Sequence, residues 1–299
     1  MLYSRSEKHL GTTFEIQIVS EKAYTEEVLT ELFLFCEDFE AEFSRFREDS
    51  SLSILNKEKQ LSVSLRFIDL LTRSLELEKE TDGVFSVTAN VGRLGYTKDF
   101  ESGKFEPIQD IYGTLPCIIT IENTLVTLSE STSLDFGGIG KGYLIDQLGE
   151  KLRTSGYDDF CINGGGDILL SGKNPEGEKW VIGVEDPLSG VLCSTIELTD
   201  MSIATSGSYK RQWTIDSEKY HHIIDAHTGK NNHELLSVTL ISKDTTRTDA
   251  LTKAIWHTPF LDMENAFKKY DLEGIVIEKG GKIFVSPKCV TKYGFRMSQ

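Results

Sequence analysis

Four short stretches concentrate glycine, carboxylate, hydroxyl and imidazole groups at spacings suited to phosphate or metal chemistry. The first is Asp135-Phe136-Gly137-Gly138-Ile139-Gly140-Lys141-Gly142-Tyr143. Its glycines let backbone approach a ligand closely, and a helix start behind them offers free N–H groups to an anion. Lys141 adds a point charge suited to phosphate. Two familiar phosphate loops do not fit. The Walker pattern requires Gly five residues before the Gly-Lys pair and Ser or Thr after the Lys, places held by Asp135 and Gly142. The dinucleotide fingerprint begun at Gly138 requires Gly where Tyr143 stands. A tight strand-to-helix turn accounts for the same residues without a ligand.

The second stretch, Asn163-Gly164-Gly165-Gly166-Asp167, follows the apolar Phe160-Cys161-Ile162. Consecutive glycines are costly to order, so they serve either a turn or a ligand. The third, His221 to Gly229, holds three of the six histidines. No Cys or Glu adjoins them and the spacing matches no common zinc pattern, so a single His acting as base or ligand contact is the better reading. The fourth is Thr246-Arg247-Thr248-Asp249-Ala250-Leu251-Thr252-Lys253. Asp249 and Thr252 fall on adjacent turns of a helix start, where both oxygens could face one hard cation. A plain capped helix, with Thr248 as cap and Asp249 near the dipole's positive end, explains it equally well.

The elements that must position these groups follow from periodicity. Alternation marks a strand over Thr12 to Val19, and helical spacing of Leu29, Leu32, Phe33, Cys36, Phe39 and Phe43 marks a helix from Thr25 to Phe46. Asp49 to Asn56 reads as polar connection, then a helix runs over Ser64 to Thr81 and closes at Asp82-Gly83. A hairpin is expected over Ile118 to Leu128, and a helix from about Gly138 to Arg153. Strands are expected at Phe160–Ile162, Ile168–Leu170, Trp180–Val184, Ser194–Leu198, Gln212–Ile215 and Ser237–Ile241, with a last pair about Gly280-Gly281. Helices at Thr248–His257 and Phe260–Tyr270 interrupt this series. The class is α+β, with a helical first third and a sheet-rich remainder.

At 299 residues with 39% hydrophobic and 26% charged content, the chain is an ordinary globular protein. A net charge of −15 argues against nucleic acid, while a small anionic cofactor can still find a local cationic site. Cys36, Cys117, Cys161, Cys193 and Cys289 are odd in number and mostly lie in apolar runs, which reads as buried free thiols. No apolar run approaches the roughly 18 residues of a membrane span, and the polar Met1–Leu10 lacks the apolar core of a signal, so a cytoplasmic protein is expected.

In this order along the chain, the stretches resemble the FAD:protein FMN transferase family, also called the ApbE family. The resemblance runs from Gly11-Thr12 to about Val285. It includes Ser44-Arg45-Phe46, Ser50 to Asn56, Asp82-Gly83-Val84-Phe85, Gly95-Tyr96 and Asp135 to Asp146. Asn163 to Asp167, Trp180 to Pro187, Ala204 to Gly207, His222 to Gly229 and Asp249-Ala250-Leu251 complete it. It implies one domain over 1–299 with mixed sheets, a helical N-terminal third and an FAD cleft between lobes. It also implies a Mg²⁺-dependent reaction that breaks the pyrophosphate of FAD, releases AMP and esterifies FMN to Ser or Thr of an acceptor protein. Carried over position by position, Phe46, Val84, Phe85, Ser86, Asp135, Lys141 and Ile223 contact the cofactor. The metal set is Gly138, Asp249, Thr252 and Lys253; the catalytic pair is Asp249 and His222, which takes the acceptor's proton, a role worth roughly 10²–10⁴-fold.

Several positions depart from the family pattern. Ser86 stands where Asp is usual, and Ala226-His227 replace Pro-Arg. Lys253 holds the place of a metal-ligating Thr. An ammonium cannot ligate Mg²⁺, so either Thr252 substitutes or Lys253 supplies part of the charge. Two alternatives share these residues: an FAD pyrophosphatase giving FMN and AMP, and a protein that carries FAD without chemistry.

Overall fold

The structure, a computed structural model, describes residues 1–89, 117–209, 211–215 and 217–297. Gly95-Tyr96 lies outside the described residues. The chain opens with β1 (Leu2–His9) and β2 (Thr12–Val19), an antiparallel pair turning through Leu10 and Gly11, both at positive φ. The polar run Met1–Leu10 is thus an edge strand, whose alternate residues face water.

Four helices with a small sheet follow: α1 (Thr25–Phe43), α2 (Ser51–Glu58), β3 (Gln60–Ser62), α3 (Leu65–Glu80), β4 (Ile119–Glu122), β5 (Leu125–Leu128) and α4 (Gly140–Thr154). Two boundaries differ from expectation. α1 stops at Phe43 rather than Phe46, because Ser44 turns extended and its carbonyl accepts the Ser50 hydroxyl at 2.6 Å. Asp49–Asn56 is not a polar connection: Ser50 caps Ser53 N at 3.0 Å and starts α2, which buries Leu52 and Leu55.

Next come β6 (Phe160–Gly164), β7 (Ile168–Ser171), β8 (Trp180–Glu185), β9 (Leu192–Leu198), β10 (Met201–Gly207), β11 (Gln212–Ile215), β12 (Glu218–His221) and β13 (Leu235–Ser242). The chain ends through α5 (Thr245–Trp256), α6 (Met263–Lys269), β14 (Glu273–Glu278), β15 (Ile283–Val285), α7 (Pro287–Thr291) and β16 (Arg296–Met297). α5 starts earlier than expected and is capped by Asp244, which accepts from Arg247 N at 2.8 Å. Thr248 lies inside the helix, its hydroxyl donating back to the Asp244 carbonyl at 2.6 Å. The expected helix at 260–270 is a short 3-10 turn followed by α6.

Eight strands form one antiparallel sheet in the order β1-β2-β6-β7-β10-β13-β14-β15. Strand periodicity divides its side chains between two faces. Phe160, Ile162, Leu169, Val238, Leu240 and Val276 pack under α1, α4, α5 and α6. Cys161, Ile168, Leu170, Ile203, Ile241, Ile275 and Ile277 pack on the opposite side against the small sheet β16-β9-β8 and α7. The α+β class holds, with both faces of the sheet covered. All five cysteines are unpaired; Cys36, Cys161 and Cys289 are buried, but Cys193 is half-buried and Cys117 exposed, against the buried expectation. Among the described residues no helix is long and apolar enough to cross a membrane.

Candidate active site

The site is organised by the first turns of α4 and α5, which lie side by side. Asp146 on α4 accepts from Thr245 N (3.1 Å), Thr246 N (2.8 Å) and the Thr246 hydroxyl (2.5 Å), tying the start of α5 to α4. Gly142 permits the approach. A Cβ there would stand 2.9 Å from the Asp249 Cβ and closer still to the Thr245 carbonyl oxygen, contacts real side chains do not make. Without it, the Gly142 N–H donates to Asp249 Oδ2 at 3.1 Å. On its other side α5 meets β10 through hydroxyls, Ser202 with Thr245 and Ser206 with Thr252, each at 2.7 Å.

Two lysines and two carboxylates interlock at this junction. Lys141 pairs with Asp167 and lies 3.6 Å from Asp249 Oδ2. Lys253, one turn beyond Asp249, pairs with Asp249 Oδ1 and donates to its backbone carbonyl at 2.9 Å. Asp167 also accepts from Thr205 N at 3.3 Å. Burial alone penalises the charged Asp249, but Lys141 and Lys253 outweigh it and hold the carboxyl below its ordinary range. Asp167 is pushed up, by burial and then by the facing Asp249. Burial opposes the Lys141 charge, yet Asp167 and Asp249 raise its pKa overall.

Two cavities meet at this cluster. One, of about 140 Å³, is walled by Phe39, Phe43, Phe46, Val84, Phe85, Phe136 and Ile224. The other, of about 570 Å³, is lined by polar groups and glycines, among them Thr12, Glu15, Asn163, Gly165, Gly166, Thr205 and Ser206. Gly137, Lys141, Arg211, His222 and Lys253 line both. The chain thus offers an apolar slot and a polar slot joined by three cationic side chains. His222 stands at the joint with no hydrogen-bond partner for Nδ1 among the described residues. Burial first, then the charges of Arg211, Lys253 and Lys141, hold its imidazole well below its usual range, so it is neutral.

The structure brings together Phe46, Val84, Phe85, Ser86, Asp135, Gly138, Lys141, His222 and Lys253, all on the first cavity. Phe46 is exposed because α1 ends before it, and Arg45 lies over its ring at 4.6 Å. Asp135 is held by Arg45 at 3.0 Å and the Gly137 N–H at 2.8 Å, which fixes the glycine loop. Ser86 bonds Glu78 at 2.7 Å. Three residues sit elsewhere than expected. Asp249 is fully buried behind the two lysines, and Thr252 turns its hydroxyl to Ser206 and the Asp249 carbonyl. Ile223 faces the core of α5 and α6, so the wall residue is Ile224. The three clustered histidines diverge: His221 is buried against Asn232 with its pKa lowered to about 4, by burial above all, and His227 reaches Asp82 O at 3.0 Å.

Asp146, Asp167 and Arg211 are given no role in the site by the sequence, although Asp167 closes the second of the four stretches. Asp167 ends the Gly-Gly-Gly-Asp run, a signal that could have found it; a lone helical Asp and a lone loop Arg carry none.

The donor set does not fit Mg²⁺. Such an ion needs near-octahedral oxygens, yet Asp249 supplies the only carboxylate of the expected set, with N–H donors on both its oxygens. The Thr252 hydroxyl is committed to other partners and Lys253 has no lone pair to give. Among the described residues no three acidic, His or Cys side chains group as metal ligands.

Comparison with known proteins bears on the family and the fold. The ApbE family model matches residues 10–285. The FAD:protein FMN transferase of Haemophilus influenzae is 28% identical over 276 residues, covering 85% of this chain and 80% of that one. That of Vibrio cholerae is 28% identical over 262 residues, with 82% and 78% covered. The crystal structure of the ApbE protein from Thermotoga maritima superposes with a TM-score of 0.85 at 26% identity, over 96% of this chain and 98% of that one. Flavin transferase ApbE from Vibrio cholerae, at 24% identity, shares the fold with a TM-score of 0.81 over 97% and 99%. On the match of the family model across most of its length, the chain belongs to the ApbE family.

Proposed function

We propose that this chain is an FAD:protein FMN transferase that moves the FMN half of FAD to a Ser or Thr hydroxyl of an acceptor protein and releases AMP. The observation that carries the reading is the pair of cavities joined at Lys141, Arg211, Lys253 and His222. FAD has the same three-part character: an apolar ring system, a dianionic pyrophosphate and a polar adenosine. The aromatic slot suits the flavin, with Phe46, Val84 and Phe85 as its wall, and the cationic joint suits the pyrophosphate. The larger polar cavity suits the adenosine.

His222 is placed at the joint, where an acceptor hydroxyl must arrive. Its neutral imidazole removes the hydroxyl proton as the oxygen attacks the FMN phosphorus. The new P–O bond forms, the P–O bond to AMP breaks, and AMP leaves with the electron pair. Lys141, Lys253 and Arg211 steady the charge on the phosphate oxygens. Asp249 and Asp167 hold the two lysines in place through their ion pairs.

The test is chromatography of the nucleotides after incubation with FAD, with and without a candidate acceptor. Transfer gives AMP matched by flavin bound to protein. AMP matched by free FMN makes the chain a pyrophosphatase, and FAD returned intact makes it a carrier.

A further inference from the structure

The arrangement about Asp249 points to a cation that the chain carries itself. The Asp249 carboxylate is fully buried and lies between two ammonium groups. One, Lys141, is committed to Asp167 as well. The other, Lys253, has Asp249 as its carboxylate partner, touches its oxygen and its backbone carbonyl, and lines both cavities. Its stem runs past the glycine loop, with Cε 3.7 Å from the place a Gly138 Cβ would take. Lys253 therefore stands between a buried anion and the space where the pyrophosphate is assigned.

A divalent cation bound at Asp249 would have to displace this ammonium while lying next to a second one. Like charges repel strongly in a site screened from water, so the two occupancies exclude each other. We propose that the Lys253 ammonium is a tethered replacement for a metal ion: anchored on Asp249, it meets the pyrophosphate, so FAD binds without any divalent cation. This rests on the FAD reading of the site. α5 fixes the position of the charge through the one-turn spacing of Asp249 and Lys253. In the transfer step the ammonium faces the same phosphate oxygens and donates hydrogen bonds to them. The bonds formed and broken, and the proton's route to His222, are unchanged.

The test is FAD titration of the purified full chain by calorimetry, in EDTA and in millimolar MgCl₂, for wild type, Lys253→Thr and Lys253→Met. Wild type should bind FAD equally in both buffers. Lys253→Thr should bind about tenfold or more weakly in EDTA, the loss of one charge-assisted contact. Mg²⁺ should restore much of that loss, because a hydroxyl beside a freed carboxylate oxygen can ligate it. Lys253→Met, which keeps the stem without a donor or a ligand, should be weak and restored less. Thermal melting of each variant confirms that the fold is intact before titration. Wild-type binding that collapses in EDTA and returns with Mg²⁺ overturns the proposal while leaving the FAD reading in place. So does Lys253→Thr binding as tightly as wild type in EDTA. Wild type that binds no FAD in either buffer removes the FAD reading and the proposal with it.

Discussion

Gly142→Ala isolates the contact on which the site's geometry depends. The added Cβ would stand 2.9 Å from the Asp249 Cβ and closer to the Thr245 carbonyl oxygen, so α4 and α5 must part by about 1 Å to restore ordinary contact. Overpacking of this kind costs about 1–3 kcal/mol, and the gain in helix propensity from Gly to Ala offsets about 1. The net of about 0–2 kcal/mol lowers the melting temperature by only a few degrees in a chain this long. Activity should suffer far more. A shift of about 1 Å in the lysine–carboxylate cluster costs on the order of 10²-fold in rate, and the Gly142 N–H loses its hold on Asp249. Gly140→Ala, two residues earlier, is the control for stability alone, since Gly140 lines the first cavity. Its Cβ would meet only the Phe136 Cβ at 3.6 Å, an ordinary contact. Melting by differential scanning calorimetry and AMP release under saturating FAD give the two readouts. If Gly142→Ala turns over like wild type, close approach of the helices is not what sets the site.

Three further substitutions and a pH profile separate the roles of the side chains. His222→Ala should slow transfer about 10²–10⁴-fold with little change in FAD affinity, since a base acts in the transition state; a weakened affinity at normal rate would make it a binding residue. In the wild type the base form of His222 survives well below the ordinary imidazole value of 6.5, so the rate should hold as pH falls through that value and decline only lower; a half-maximum at the ordinary value would refute the buried, cation-flanked imidazole. Asp249→Asn breaks a buried pair, at a cost of about 3–5 kcal/mol read from the denaturation midpoint. Because its carboxyl sits below the ordinary range, the stability it gives is present at neutral pH and lost as pH falls through the depressed value, a loss the variant should lack in acid titration. Phe46→Ala should weaken FAD binding about tenfold by removing an exposed stacking face; equal affinity would move the flavin off this wall.

Among the described residues, five of the seven α-helices and most strands were legible because their buried residues are apolar and periodic: Leu29 to Phe43 on α1, or Ile275 to Ile277 on β14; the short α2 and α7 were not. β10 was not, although it lies at the middle of the sheet. Its residues toward α5 are Ser202, Ala204 and Ser206, and it packs through hydroxyl pairs with Thr245 and Thr252 rather than through apolar bulk. β1 was hidden for the opposite reason, since an edge strand with one wet face carries little apolar signal. The site shows the same division. Glycine runs and Lys141 announce themselves by composition, but the fit of Gly142 against Asp249 depends on two helices 107 residues apart in sequence. The turn of Thr252 toward Ser206, and of Ile223 toward the core, could be seen only once the phase of each element was known.

The central claim is that the joint between the cavities delivers FMN to a protein hydroxyl. The direct measurement is tandem mass spectrometry of proteins from a source-cell extract incubated with the purified chain and FAD. The account predicts Ser or Thr peptides heavier by FMN less one water, with AMP released in equal amount, and neither product with His222→Ala over the same short incubation. Free FMN and AMP with no labelled peptide would contradict it, as would labelling that His222→Ala leaves undiminished.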